Sequence, residues 1–460
     1  MHEAGSLHDS PDAYEILTAH RRVEPGLTSG NSLAGPGFRA IRYLGNKRKL
    51  VDQINEAIDD VGNPGNHVLD LFAGSCCVGY SLKSTHQVTS NDNQIYSFHL
   101  AKALIENESD RPSALEAALE LDEVYYSHRY SLARRLNHDL NLERDLLLAG
   151  SRQPDAIRRY QAYCHRTPYI NSLGARCELA GIVREARLFR SRSSSTNPWT
   201  LFTTYFANTY FGLWQCVEID ALRKAIDEAA SCQNGWRKHV YLAALIYTLS
   251  QTVSSPGHFA EYFKPHSAKA FGRIQRERTK SIWATFLSNV TLVSSMVLKS
   301  TRMHRVLSQD WTAALTHHAL RSDEGPGVIY ADPPYTADHY SRYYHVLDTL
   351  IRYDYPSSDG AGRYRSNRQA SRFSIKSKAP DEFDALAKSA SRSGASLVLS
   401  YSNRGVLSLE TLTRICKRHY KSVHRRSIPH RHSNQGRATS ECSPNNGNRR
   451  EYLLMCSEPS

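Results

Sequence analysis

The chain has 460 residues, 40% hydrophobic and 10% aromatic, enough apolar surface to offset chain entropy, so wholesale disorder is excluded. Its 58 lysines and arginines outnumber 45 acidic residues, a formal charge of +13 that suits a polyanionic partner. The longest apolar run, about Val240 to Leu249, is short of the roughly 20 residues that span a bilayer; nine cysteines without a CxxC pair and 21 histidines without an HExxH element disfavour disulfides and a metal centre. The expectation is a soluble, cytoplasmic, metal-free protein with no secretory leader.

Residues 1–36 are rich in Gly, Ser, His and Pro without periodicity and read as a flexible leader. Leu50, Val51, Ile54, Ala57 and Ile58 recur at helical spacing until Asn63-Pro64-Gly65-Asn66 breaks the pattern. His67 to Phe72 is an apolar run ending in Ala73-Gly74-Ser75, as when a buried parallel strand enters a tight turn. A helix over Val78 to Lys83, a strand over Gln87 to Ser90 and the pair Asn91-Asp92 complete a βαβ-like unit within residues 37–105. Residues 106–299 change to amphipathic helical patterns, among them Leu115 to Leu121, Leu142 to Leu148, Ala221 to Ala230 and Tyr241 to Leu249. Two stretches, Arg184 to Ser195 and Ser254 to His258, interrupt them. Strand signals return at His304 to Ser308, Val328 to Ala331, Ser396 to Tyr401 and Glu451 to Met455. The pattern predicts an α/β sheet split by a helical insertion, with residues 300–456 as its second part and 457–460 as a tail.

The sharpest chemical signal is Asp332-Pro333-Pro334-Tyr335, directly after the apolar run Val328 to Ala331. A loop at the carboxyl end of a buried strand is where α/β sheets place ligands. Two prolines remove two donors and fix the backbone, leaving a carboxylate and carbonyls as acceptors beside an aromatic ring. Such acceptors suit the exocyclic amine of a nucleobase, whose lone pair is delocalised until hydrogen bonds from its two hydrogens push it toward a tetrahedral form; Tyr335 would stack on a flipped base. Taken alone, a Pro-rich turn with a capping Asp is an equally good reading.

Three further pieces have bland readings in isolation. Asp70-Leu71-Phe72-Ala73-Gly74-Ser75 ends a strand in a glycine turn, and Asp92, 22 positions past Asp70, sits where a second-strand acid binds ribose hydroxyls. Tyr43-Leu44-Gly45-Asn46-Lys47-Arg48-Lys49 precedes a helix, and Ser308-Gln309-Asp310-Trp311 ends a strand; a solvated basic start and a helix cap explain these as well.

In this order the four pieces resemble the Dam-like DNA adenine-specific (N6) methyltransferase family of restriction-modification type. Tyr205 to Gly212, Gly257 to Ala260 and Tyr340 to His345 are similar to segments of the same family, so the resemblance runs over about residues 38–456. It implies a Rossmann-like seven-stranded S-adenosylmethionine-dependent methyltransferase sheet, with the insertion recognising the target. By matching position, Tyr43, Gly45 and Lys47 border the methionine end of the cofactor, Asp70, Phe72 and Gly74 form its turn, Asp92 holds its ribose, Asp310 its adenine amine, and Asp332 to Tyr335 the target base. The turn departs from the family's Gly-Thr-Gly: this chain has Gly74-Ser75-Cys76-Cys77. A cognate restriction endonuclease and a monomeric state are further expectations.

Direct transfer to an amine needs no covalent intermediate, unlike methylation at cytosine C5, and the chain contains no Pro-Cys dipeptide. The motif leaves open cytosine N4 as target, a non-catalytic regulator that binds DNA and cofactor, and an RNA substrate, the last without an RNA-binding signature in its favour. For double-stranded DNA, residues 361–450 carry 19 basic against 5 acidic residues, an uneven charge suited to phosphates. The candidate contacts are Arg342, Arg363, Arg365, Arg368, Arg372 and His258, with Lys376 and Lys378 nearby and Arg184, Arg187, Arg190 and Arg192 as a smaller group.

Overall fold

The computed structural model describes residues 47–62, 65–149, 154–167, 169–171, 177–233, 235–319, 327–336, 341–366, 368, 371–429 and 450–460; the leader read at residues 1–36, and Tyr43 and Gly45, lie outside them. Its principal sheet takes β1 (His67–Asp70), β2 (Gln87–Asn91), β3 (Arg305–Leu307), β4 (Val328–Ala331), β7 (Ser396–Ser402), β8 (Tyr420–Pro429) and β9 (Arg450–Pro459) in the order β3-β2-β1-β4-β7-β9-β8. A separate hairpin joins β5 (Ser358–Asp359) and β6 (Tyr364–Arg365). The five strands β3, β2, β1, β4 and β7 pair in parallel, and β9 runs against both of its neighbours. Every residue of β4 and β7 is buried, as parallel strands covered on both faces must be.

The connections from β1 run outward through β2 to β3, whereas β4 continues the other way to β7, so the switch point lies between β1 and β4. Register then aligns the chemistry. Asp70 stands opposite Ser90 and Tyr330, which brings Asp92 and Asp332, two residues farther on, out at the same end of the sheet.

Alternation along the strands divides the core. Val68, Val88, Tyr330 and Val398 share one apolar cluster with Leu121, Val217, Leu245 and Ile282 of the helical block. Leu69, Ile329 and Leu397 face the other way, toward Phe383, Leu412 and Leu454. The helices between β2 and β3 therefore pack into the same core as one sheet face. Helix Arg237–Thr252 is buried all round from Val240 to Ser250, and helix Ala114–Arg135 opens with a Ser113/Glu116 capping box.

One expected interruption is not a break. Helix Cys177–Arg190 runs through Arg184, because Leu179, Ile182, Val183 and Ala186 bury one face at helical spacing; the chain turns only beyond it, at Arg192, where φ is +60°. The interruption after Thr252 is present. Among the described residues, no helix is long and apolar enough to cross a membrane.

Candidate active site

Asp70 ends β1 fully buried, with Oδ2 accepting the Gly79 N–H at 3.3 Å. Its Oδ1 has no hydrogen-bond partner among the described residues. Burial pushes this carboxyl up to about 8, the Gly79 N–H opposing and the Asp92 and Asp332 charges adding. Gly79 is required here by close approach: a Cβ on it would lie 2.7 Å from Ser90 Oγ. Asp92 stands just past β2 and ties the glycine turn, accepting the Gly74 N–H at 2.8 Å and the Gln94 N–H at 2.9 Å. Burial raises its carboxyl too, against those N–H bonds. The departure at Cys76 has a backbone cost, since this residue adopts φ +63° before helix Cys77–Leu82, a left-handed position that glycine enters without strain.

Past β4, the Asp332 loop meets two distant parts of the chain. Lys47 Nζ lies 3.1 Å from Asp332 Oδ1, 3.3 Å from Glu451 Oε2 and 3.3 Å from the Tyr335 hydroxyl. That hydroxyl donates to Glu451 Oε2 at 3.1 Å. The side chains of Lys47 and Glu451 are 7% and 4% exposed, whereas Asp332 keeps 20%, so Asp332 is the reachable member. Burial pushes the Asp332 carboxyl up to about 6, with Lys47 opposing and Glu451 adding. Burial also disfavours the Lys47 charge, but Asp332, Tyr335 and Glu451 outweigh it and hold the ammonium well above the usual lysine value. Tyr335 is 8% exposed, its ring 4.8 Å from that of Tyr401, so the face expected to stack on a base is mostly covered. The Pro334 carbonyl is already engaged, accepting from Ser374 at 2.6 Å.

Phe72, partly buried, meets Phe373 edge-on at 5.7 Å, and Phe373 in turn contacts Trp311. Asp310 is exposed at the end of β3 and caps the helix Trp311–Ala319 through Thr312, whose N–H and hydroxyl both reach Oδ1 at 3.0 and 2.6 Å.

The expected DNA-contacting arginines separate into two groups. Arg365 is buried and pairs with Asp354 through two bonds of 2.7 and 2.6 Å. Arg363 lies 4.2 Å from the Tyr169 ring and donates to the carbonyls of Tyr205 and Ala207. Both guanidinium groups are thus engaged within the chain, at and beside the β5–β6 hairpin. Arg342 and Arg368 instead flank the Tyr364 ring, each 4.9 Å from its centre, with Arg342 exposed. Arg372 is exposed and pairs with Glu382 at 2.6 Å. His258 is also turned inward: it is buried, its Nδ1 accepts the Ala260 N–H at 3.2 Å, and its ring meets Tyr343 at 5.0 Å. Its segment belongs to a knot in which the Tyr210 hydroxyl reaches the carbonyls of Phe259 and Gly362 and the ring of His345.

Sequence reasoning missed Glu451. It read Glu451 to Met455 as a strand; the signal was an acidic residue leading an otherwise apolar run. Among the described residues, no group of three or more His, Cys, Asp or Glu could hold a metal ion.

Residues 43–171 and 205–402 match the family model described as D12 class N6 adenine-specific DNA methyltransferase. The chain is similar to modification methylase LlaI of Lactococcus lactis subsp. lactis, 24% identical over 381 residues that cover 82% of this chain and 49% of that protein. It is likewise similar to type II methyltransferase M.FokI of Planomicrobium okeanokoites, 24% identical over 384 residues, 82% of this chain and 47% of the other. Against type II methyltransferase M.NlaIII of Neisseria lactamica the identity is 23% over 387 residues, 82% of this chain and 88% of the other. The chain thus spans about half the length of the first two relatives and most of the third.

Proposed function

The chain belongs to the family of D12 class N6 adenine-specific DNA methyltransferases, and from that premise we propose that it methylates adenine N6 in double-stranded DNA at a short specific sequence, with S-adenosylmethionine as donor. The observation that carries the reading is the register that brings Asp70, Asp92 and Asp332 out at the same end of β1, β2 and β4; burial first, and then the charges of Asp92 and Asp332, raise the Asp70 carboxyl there. Carboxylates that repel one another in a crevice are relieved by a cationic ligand, and S-adenosylmethionine is a cation. The unpartnered Asp70 Oδ1 fits such a group. Asp70, Phe72, Gly74 and Asp92 would hold it, with Lys47 bordering it, Asp310 at its adenine end, and Tyr43 and Gly45 assigned by position alone. When bound, it supplies a methyl group already activated by the sulfonium.

The protein's own part is placement and acceptor strength. Asp332, as a carboxylate, accepts a hydrogen bond from the target amine and draws its lone pair out of the ring. The Pro333 carbonyl is the second acceptor, the fixed prolines Pro333 and Pro334 hold the loop, and Tyr335 borders the base. Asp332 would hold the amine toward that methyl group, and the proton that the methylated nitrogen sheds would pass by way of this carboxylate to solvent. Arg342, Arg368 and Arg372 supply phosphate contacts on the reachable side of the basic segment, whereas Arg363 and Arg365 keep its hairpin in place.

Incubation with labelled donor and plasmid DNA, followed by digestion to nucleosides, is expected to place the label in N6-methyldeoxyadenosine. Label found only in a cytosine product would overturn the adenine assignment. No label with folded, DNA-binding protein would favour the regulator.

A further inference from the structure

Glu451 is the second residue of β9, the strand that runs against its neighbours. Its register neighbours are Ser402 on β7 and Ile428 on β8, yet its side chain reaches the loop after β4. A carboxylate buried this far is costly without compensation. The compensation comes from the groups around the target-base loop: the Lys47 ammonium at 3.3 Å and the Tyr335 hydroxyl at 3.1 Å, both on Oε2. Since Lys47 also serves Asp332, two carboxylates share one ammonium.

Sharing has a chemical effect. An ammonium held by Asp332 alone would neutralise the oxygen that must accept from the target amine; drawn partly toward Glu451, it leaves that oxygen a stronger acceptor. The Tyr335 hydroxyl has one proton, and donating it to Glu451 fixes the rotor and so the ring. On the methyl-transfer reading above, we infer that Glu451 is a positioning residue of this enzyme, which orients Tyr335 and divides the Lys47 charge so that Asp332 remains free to accept from the target base.

Among the described residues, the charged and titratable groups facing Glu451 include Lys47, Asp332 and Tyr335, with Tyr330 and Asp70 beyond them around the same ammonium and carboxylate. Burial is the larger reason that the Asp332 carboxyl is raised, but the Glu451 charge adds to it. Removing that charge, and giving Lys47 wholly to Asp332, both act downward on this carboxyl.

The test is the pH dependence of methyl transfer by the full chain. Glu451→Gln is expected to lower kcat roughly 10- to 100-fold and to move the acid limb of the profile to lower pH. Glu451→Asp keeps the charge and is expected to return the limb to the wild-type position while kcat stays reduced. A Glu451→Gln protein with wild-type kcat and an unmoved limb overturns the inference, and so does one whose kcat falls with the limb unmoved, which is the signature of a purely structural role. Should that variant fail to fold, Tyr335→Phe, which keeps the ring and removes its tether, is expected to lose kcat with the limb in place; unchanged kcat there overturns the inference as well. Wild-type protein that transfers no methyl at all would instead sink the methyl-transfer reading.

Discussion

In the helical block, Arg278 donates to the Tyr160 hydroxyl at 2.6 Å, Asn208 Oδ1 at 2.7 Å and the Thr209 carbonyl at 2.9 Å, and its neighbour Glu143 accepts the N–H groups of Leu213 and Trp214 at 2.8 and 2.9 Å. There one buried cation stands beside one buried anion. At the strand ends Lys47 serves two carboxylates at once, the local charge is negative, and one carboxylate stays reachable. Both clusters are buried and polar, but only the second keeps charge and access in reserve. A saturated network holds a fold together; an unsaturated one is poised to take a ligand.

Substitutions should separate the two. Asp332→Ala is expected to cost about 10²- to 10³-fold or more in single-turnover methyl transfer, with the thermal midpoint undiminished and donor binding retained; a variant that transfers at the wild-type rate would break the contrast. Arg278→Met should behave in the opposite sense. It leaves Glu143 without its neighbouring cation and is expected to lose about 3–5 kcal/mol of stability, read from the denaturant midpoint, with transfer by the remaining folded fraction near normal. The pH profile sharpens the strand-end half. Asp332 must be ionised to accept, and its carboxyl is pushed up to about 6, so kcat is expected to be full above that value and to fall as pH drops through it. The smallest effect belongs to the surface: replacing Arg342 and Arg368 together by Gln is expected to reduce the slope of log K against log salt for DNA binding by about 1 to 2, leaving kcat on saturating DNA unchanged.

The strands that carry this chemistry were readable because parallel strands are continuous apolar runs, and His67 to Leu71, Val328 to Ala331 and Ser396 to Tyr401 are such runs. The edge strand β8 was not. It carries Lys421, Arg425 and Arg426, charges that blunt an open edge and hide its alternation. The loop Asp332 to Tyr335 was legible from its own four residues, and Asp70, Asp92 and Lys47 from their spacing around the family resemblance. The inward arginines were not, since Arg363 and Arg365 look like their basic neighbours until Asp354 and the carbonyls of Tyr205 and Ala207 are brought to them. Asp310 shows the reverse: the cap that its position after β3 suggested is present in Thr312, beside any role toward a ligand.

Lys47 and Glu451 are 404 positions apart in the chain, and β9 lies between β7 and β8. A polypeptide still on the ribosome, translated only through β8, can pair its five parallel strands, but β8 has no place in the sheet until β9 arrives. Contacts this far apart in sequence close late and slowly. Until they close, the Lys47 ammonium has Asp332 to itself and Tyr335 lacks its acceptor. The contact between Lys47 and Glu451 thus closes only after the last strand of this sheet has been made.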